Sequence, residues 1–187
     1  MENASQSTIK GTGVVAGVAY AEAVWVRPRP ALPTEGSIDP EQASESEYNR
    51  FLAAVDTVAN RLEKRAAAAE GQAAEVLTAT AGMVKDRGWH KTVRKNIRTG
   101  RNAEFATVGA TDKFVTMFEA AGGVMAERTT DLKDVRDRVI AELRGEDEPG
   151  LPLVDGEAVL FADDLAPADT ATLDTKHIKA LVTELGG

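Results

Sequence analysis

The chain has 187 residues, 43% of them apolar, no cysteine and a formal charge of −8. That length holds one good core or two small ones, and the lack of cysteine excludes a disulfide framework, a thiolate nucleophile and a thiolate metal site. No apolar run approaches the ~20 residues of a membrane-spanning helix, MENASQSTIK carries no apolar leader core, and the acidic balance argues against nucleic acid as the main partner.

Residues 8–26, TIKGTGVVAGVAYAEAVWV, are rich in valine and glycine and predict two short strands with glycine bends between them. No Lys-Ser or Lys-Thr follows and no helix opens from the run, so it is not a phosphate loop. Residues 27–38 are dense in proline (Pro28, Pro30, Pro33), which blocks both helix and inner strand. This is a linker and a boundary.

Helices follow. Asp39, Pro40 and Glu41 supply an N-cap, a first-turn proline and an acid. Tyr48, Phe51, Leu52, Val55, Val58, Ala59 and Leu62 then form one stripe at a 3.6 period. A second helix is predicted over Gln72–Lys85, with Gly88 as the interruption, and a third over Trp89–Arg98 with Trp89, Val93 and Ile97 inward. A fourth begins near Asn102, shows Phe105, Val108, Val115 and Phe118, and breaks at Gly122-Gly123. The last, Val124–Arg144, uses Leu132, Val135, Val139 and Leu143 and closes on Gly145. Short connections favour an antiparallel bundle.

Residues 146–156 are acidic and hold Pro and Gly, and they bring the chain back from the bundle. Ala158–Ala162 is a buried-strand signal. Pro167 and Asp169 suggest a short helix anchored by Leu173, and Ala180–Thr183 a second strand before the closing Gly186-Gly187. The expected fold is therefore α/β in its sheet part and α+β overall. A small α/β subdomain comes from both chain ends (1–38 and 146–187), with an antiparallel helical bundle (39–145) inserted between.

Glu127, Asp131 and Asp134 fall at i, i+4 and i+7, so they share a helix face with Arg128 beside them. That pattern suits a polar face tied to neighbouring elements; a metal site is a weak rival, because no further ligand completes the set. Lys85–Arg101 is basic, with residues 87, 91, 94, 95 and 98 on one stripe, either a solvated face or a patch for an acidic partner. Met83, Trp89, Met117 and Met125 are either core or adaptable contacts for a partner. His90 and His177, placed on the basic helix and on the short terminal helix, read as surface or internally satisfied histidines.

Three of these stretches carry a resemblance. Phe161-Ala162-Asp163-Asp164-Leu165-Ala166-Pro167-Ala168-Asp169-Thr170 followed by Gly186-Gly187, the run Glu127–Val135, and Gly11 with Gly17-Val18-Ala19 resemble the N-terminal region of enzyme I of the bacterial phosphotransferase system. In that family the diglycine opens G-G-x-T-S-H, whose histidine carries the phosphoryl group. The resemblance implies a swivelling phosphohistidine-type subdomain, cut before its histidine, and a helical insert that docks the carrier protein HPr. It implies no catalytic residue and no metal in this chain, with phosphoenolpyruvate and Mg²⁺ bound by a separate C-terminal barrel. HPr contacts would come from Met83, Asp86, Trp89, Met117, Met125 and Arg128, with Glu127, Asp131 and Asp134 as a polar cluster at the subdomain junction. In the family the segment around Asp86 is usually acidic, and here it is basic. A cytoplasmic location, no membrane or nucleic-acid partner, and a monomer where the longer family protein dimerises complete the expectation. Two rivals stay open: a related phosphoenolpyruvate dikinase or synthase, which lacks such an insert, and a non-enzymatic helical interaction module.

Overall fold

The computed structural model describes residues 10–27, 29–151, 154, 156–163, 165 and 173–184. Their elements run β1 (Glu22–Trp25), α1 (Pro40–Ala68), α2 (Gly71–Val84), α3 (Arg87–Arg98), α4 (Ala103–Ala121), α5 (Gly123–Glu127), α6 (Thr129–Arg144), β2 (Ala158–Ala162) and β3 (Ile178–Thr183).

The sheet order is β1-β2-β3, with both pairings parallel. Val24 lies opposite Leu160, and Leu160 opposite Leu181. Between β1 and β2 the chain makes all six helices, so two distant stretches of sequence meet in one sheet, as expected. The two strands expected in 8–26 reduce to β1. Residues 10–21 form no strand, and Val14, Val15, Val18 and Tyr20 stand exposed. The helix expected at Pro167–Asp169 and the diglycine lie outside the described residues. Leu173 lies in no element, and His177 sits in a turn before β3 rather than on a helix.

α1 is the spine. Asp39 caps it by accepting from the Glu41 amide at 3.0 Å, and Pro40 occupies the first turn. Its stripe behaves as the period requires: Phe51, Val55, Val58, Ala59 and Leu62 are buried, while Tyr48 and Leu52 flank them half-buried. The link of Ala69 and Glu70 folds α2 back onto it as a hairpin. Ala81, Val84, Trp89, Val93, Ile97, Val135 and Val139 close the core from α2, α3 and α6.

Two boundaries and one buried side differ from expectation. Gly88 does not separate α2 from α3 but lies in the first turn of α3; the break is at Lys85-Asp86, where the Asp86 carboxylate caps α3 by accepting from the Trp89 amide at 2.7 Å. The last helix is two, α5 and α6, hinged at Arg128. In α4 the expected Val108 and Val115 are buried, but Phe105 and Phe118 stay half-buried, and Ala103, Ala106, Thr107, Ala110 and Thr111 make up the rest of the core side. Small residues let α4 approach its neighbours closely. Its threonines are satisfied along the helix, Thr107 and Thr111 donating to the carbonyls of Ala103 and Thr107 at 2.8 and 3.0 Å.

Asn102 caps α4, accepting from the Phe105 amide at 2.9 Å, and its own amide donates to the Gly36 carbonyl at 2.8 Å. A Cβ on Gly36 would fall 2.3 Å from Asn102 Oδ1. Gly36→Ala must therefore displace the cap, and urea unfolding should show a loss of about 1–2 kcal/mol.

Candidate functional site

The largest exposed apolar side chains on the helices gather at one corner. Met117 is 50% exposed near the end of α4, and Val124 and Met125 of α5 are 69% and 42% exposed. The corner exists because Gly122 and Gly123 both take positive φ, +68° and +55°, which stops α4 and starts a five-residue helix in a new direction. That turn of chain is too short to bury its own apolar residues. Arg128 follows as the hinge into α6, its amide donating to the Met125 carbonyl at 3.1 Å. Its guanidinium lies 4.0 Å from Asp131, both partly exposed, a contact too loose to hold it. Burial, opposed by Arg128, raises the Asp131 carboxyl above the usual carboxylate range. Phe114 and Phe118, rings 6.3 Å apart, lead from this corner back along α4, and a Cβ on Gly88 of α3 would sit 3.5 Å from Phe114.

Of the six contact residues expected from sequence, Met117, Met125 and Arg128 are placed at this corner. Trp89 is not a surface residue. It is 2% exposed, its ring meets Phe51 edge-on at 5.4 Å, and its indole N–H donates to the Thr111 hydroxyl at 3.2 Å. Asp86 is exposed, but its carboxylate is engaged as the α3 cap. Met83 is half-buried against the core. Val124 and Phe114 were missed. The double glycine was the sign that apolar neighbours would be left outside.

The polar cluster divides. Glu127 ends α5 while Asp131 and Asp134 belong to α6, so the three do not share one helix face. Asp134 instead accepts from Arg138 Nε at 2.7 Å, one turn along α6. Arg138 is buried and also bonds Glu148, which Arg65 of α1 grips with two contacts of 3.1 Å. Burial would lower the Arg138 pKa, but Asp134 and Glu148 outweigh it and raise it. Beside this, Arg136 Nε donates to Asp137 at 2.8 Å, and Arg29 of the proline-rich linker lies 3.9 Å from the same carboxylate. An open cleft of about 350 Å³ runs along this junction, lined by Arg27, Arg61, Arg65, Glu146, Asp147, Glu148 and Leu151. Its walls pair among themselves: Arg27 with Asp147 at 2.5 Å and Arg65 with Glu148. Among the described residues, no group of three or more His, Asp or Glu side chains is arranged to hold a metal ion. No helix among them is long and apolar enough to cross a membrane.

A family model described as PEP-utilising enzyme, N-terminal, matches residues 10–128. The chain belongs to the PEP-utilising enzyme N-terminal family. It is 40% identical over 182 residues to the phosphoenolpyruvate-protein phosphotransferase of Streptomyces coelicolor, covering 97% of this chain and 33% of that protein. The Bacillus subtilis protein of the same name is 31% identical over 182 residues, covering 96% and 32%. This chain thus spans about a third of the length of these relatives. An NMR solution structure of enzyme I (nEIt) superposes with a TM-score of 0.76 at 25% identity, covering 89% of this chain and 69% of that one. The N-terminal domain of Enzyme 1 – Nitrogen shares the fold, at a TM-score of 0.63 and 22% identity, covering 91% and 71%. The resemblance read from the motifs is therefore correct, and so is the fold class.

Within this PEP-utilising family chain both histidines are engaged at one ring nitrogen. The His90 Nε2 lies 2.7 Å from the Val84 carbonyl, and its ring packs edge-on against Phe51 at 5.3 Å. The exposed His177 holds Nδ1 2.6 Å from Asp174, whose carboxyl is lowered by that bond.

Two outcomes follow from this geometry. Trp89→Ala should cost about 3–5 kcal/mol in urea unfolding, whereas Met125→Ala should stay within about 0.5 kcal/mol of the parent, as exposed sites do. The second concerns Asp137, whose carboxyl is raised by burial and only partly drawn back by Arg136 and Arg29. A carboxyl with a folded pKa above its unfolded one costs nothing below the unfolded value and its full penalty above the folded one. Stability should therefore lose a contribution as pH rises through the window just above the ordinary value of about 3.9, and Asp137→Asn should remove that part of the slope.

Proposed function

We propose that this chain is the carrier-docking, N-terminal part of a phosphoenolpyruvate–protein phosphotransferase of the enzyme I type. Such a protein takes phosphate from phosphoenolpyruvate on a histidine and passes it to HPr. The single observation that carries the reading is the exposed Met117–Val124–Met125 corner with an unlocked Arg128 beside it, in a chain whose fold and sequence match this family. Methionine adapts its shape to a partner, and an arginine beside it supplies directional hydrogen bonds.

In this reading residues 39–145 form the docking unit, and 1–38 with 146–187 form the sheet unit that presents the phosphoryl group. The charged junction around Arg138, Glu148 and Arg65 joins the two units. Phosphoenolpyruvate and Mg²⁺ bind outside these residues, and the chain works as a cytoplasmic monomer. The helical insert favours this family branch over a dikinase or synthase. The sheet built from distant segments speaks against a simple helical adaptor.

Titration of the ¹⁵N-labelled chain with HPr is the test. Amide shifts should concentrate at residues 117, 124, 125 and 128, and Arg128→Ala should weaken binding about tenfold. Unchanged spectra at saturating HPr would refute the docking reading. Incubation with phosphoenolpyruvate and Mg²⁺ should leave no phosphohistidine on this chain by mass spectrometry. Stable phosphate on His177 would contradict that expectation.

A further inference from the structure

The chain has no cysteine and four methionines, so every sulfur it holds is a thioether. Met1 lies outside the described residues. Met83 is half-buried and packs against the helical core. Met117 and Met125 are both exposed, one on each side of the Gly122-Gly123 turn. Among the described residues, the sulfur that solvent reaches is therefore gathered at one corner. No thiol in the chain competes for an oxidant, and methionine oxidation follows exposure.

Arg128 stands three residues after Met125, and its amide donates to the Met125 carbonyl at 3.1 Å. Side chains at that spacing are neighbours on a helical turn. Asp131 holds the Arg128 guanidinium only at 4.0 Å, so the guanidinium has donors to spare. A thioether is a weak acceptor. A sulfoxide is polar, and its oxygen accepts strongly. Oxidation of Met125 thus sets a strong acceptor beside a loosely held guanidinium. It also makes both side chains polar where an apolar partner surface would press, and desolvating a polar group is costly. Neither methionine belongs to the helical core, so the fold itself loses little.

We propose that Met117 and Met125 form a reversible oxidation site for hydrogen peroxide, and that sulfoxide formation there closes the docking corner. The closing of the corner rests on the docking reading above; the oxidation site does not. A sulfur lone pair attacks one peroxide oxygen, the S–O bond forms, the O–O bond breaks, and the other oxygen leaves as water. Sulfur gives up two electrons and the peroxide takes them. The way back is a sulfoxide reductase drawing two electrons from a dithiol, which leaves a disulfide and water. Arg128 then turns to the Met125 sulfoxide, and the corner loses its apolar surface and its directional donor together.

The experiment treats the full chain with dilute hydrogen peroxide and follows each methionine by peptide mass spectrometry. Met117 and Met125 should gain oxygen several-fold faster than Met83; equal or faster oxidation of Met83 would overturn the site. The oxidised chain should keep the parent's urea midpoint, and a collapsed transition would mark damage and overturn the switch. Calorimetric titration with the HPr of the same source should show binding about tenfold weaker after treatment, restored by a methionine sulfoxide reductase with dithiothreitol. Met117→Leu/Met125→Leu should bind equally before and after treatment, whatever its starting affinity, while Met83→Leu should respond as the parent does. In ¹⁵N spectra the Arg128 Nε–H signal should move on oxidation of the parent and stay in place in Met125→Leu. Unchanged affinity of the parent with both sulfoxides formed would overturn the switch and leave corner docking intact. Absence of binding by the untreated parent would overturn docking and the switch together, and the oxidation rates would still decide the site.

Discussion

The contact on which the helical part depends is Trp89 against Phe51. Phe51 is fully buried on α1, and Trp89 of α3 meets it edge-on, the arrangement that aromatic quadrupoles prefer. The indole N–H would be an expensive orphan at this depth, and Thr111 of α4 accepts it. One side chain thus fixes three helices relative to one another. It also sets which side of α3 faces out, so the placement of the basic stripe follows from a core contact.

A second constraint is electrostatic and joins the helices to the sheet. Glu148 lies on the segment returning from α6 toward β2, and it is held by Arg65 of α1 and Arg138 of α6. Arg27, just after β1, pairs with Asp147, and Arg144 donates to the Ala31 carbonyl at 2.6 Å. These contacts bring the outgoing and returning strands of chain side by side, which parallel pairing of β1 with β2 requires. The two chain stretches are far apart in sequence, so their meeting depends on side chains that no local pattern reveals.

Local signals were legible where one residue type has one physical use. The cap Asp39, the helix start near Asn102, the α1 stripe, the Gly122-Gly123 break and the left-handed Gly145 all do what their chemistry dictates. β2 matches its predicted bounds for the same reason. Reading failed where size was taken as a proxy for burial. In α4 the valines of the expected stripe are buried but Phe105 and Phe118 stay half-buried, and alanine and threonine, which allow the closer approach, take the rest of the core side. Trp89 stood open between core and partner contact, and what decides it, the hydrogen bond and the depth, comes from Thr111 and Phe51, both remote in sequence. Glu127 was misgrouped because spacing alone cannot show the hinge at Arg128. Likewise the valines of 10–21 have strand propensity, but among the described residues no neighbouring strand receives them.

The sheet has two edges: β2 is lined on both sides by partners, while β1 and β3 each pair with β2 alone among the described residues. Leu181 and Val182 are partly exposed there, and Trp25 and Phe161 form an aromatic pair on β1 and β2, with Trp25 65% exposed. Parallel strands ordinarily lie covered on both faces, and a bare flank of free amides and carbonyls invites any extended peptide to add itself. An extended segment laid along either outer flank would add a fourth strand and cover what Leu181, Val182 and Trp25 leave bare.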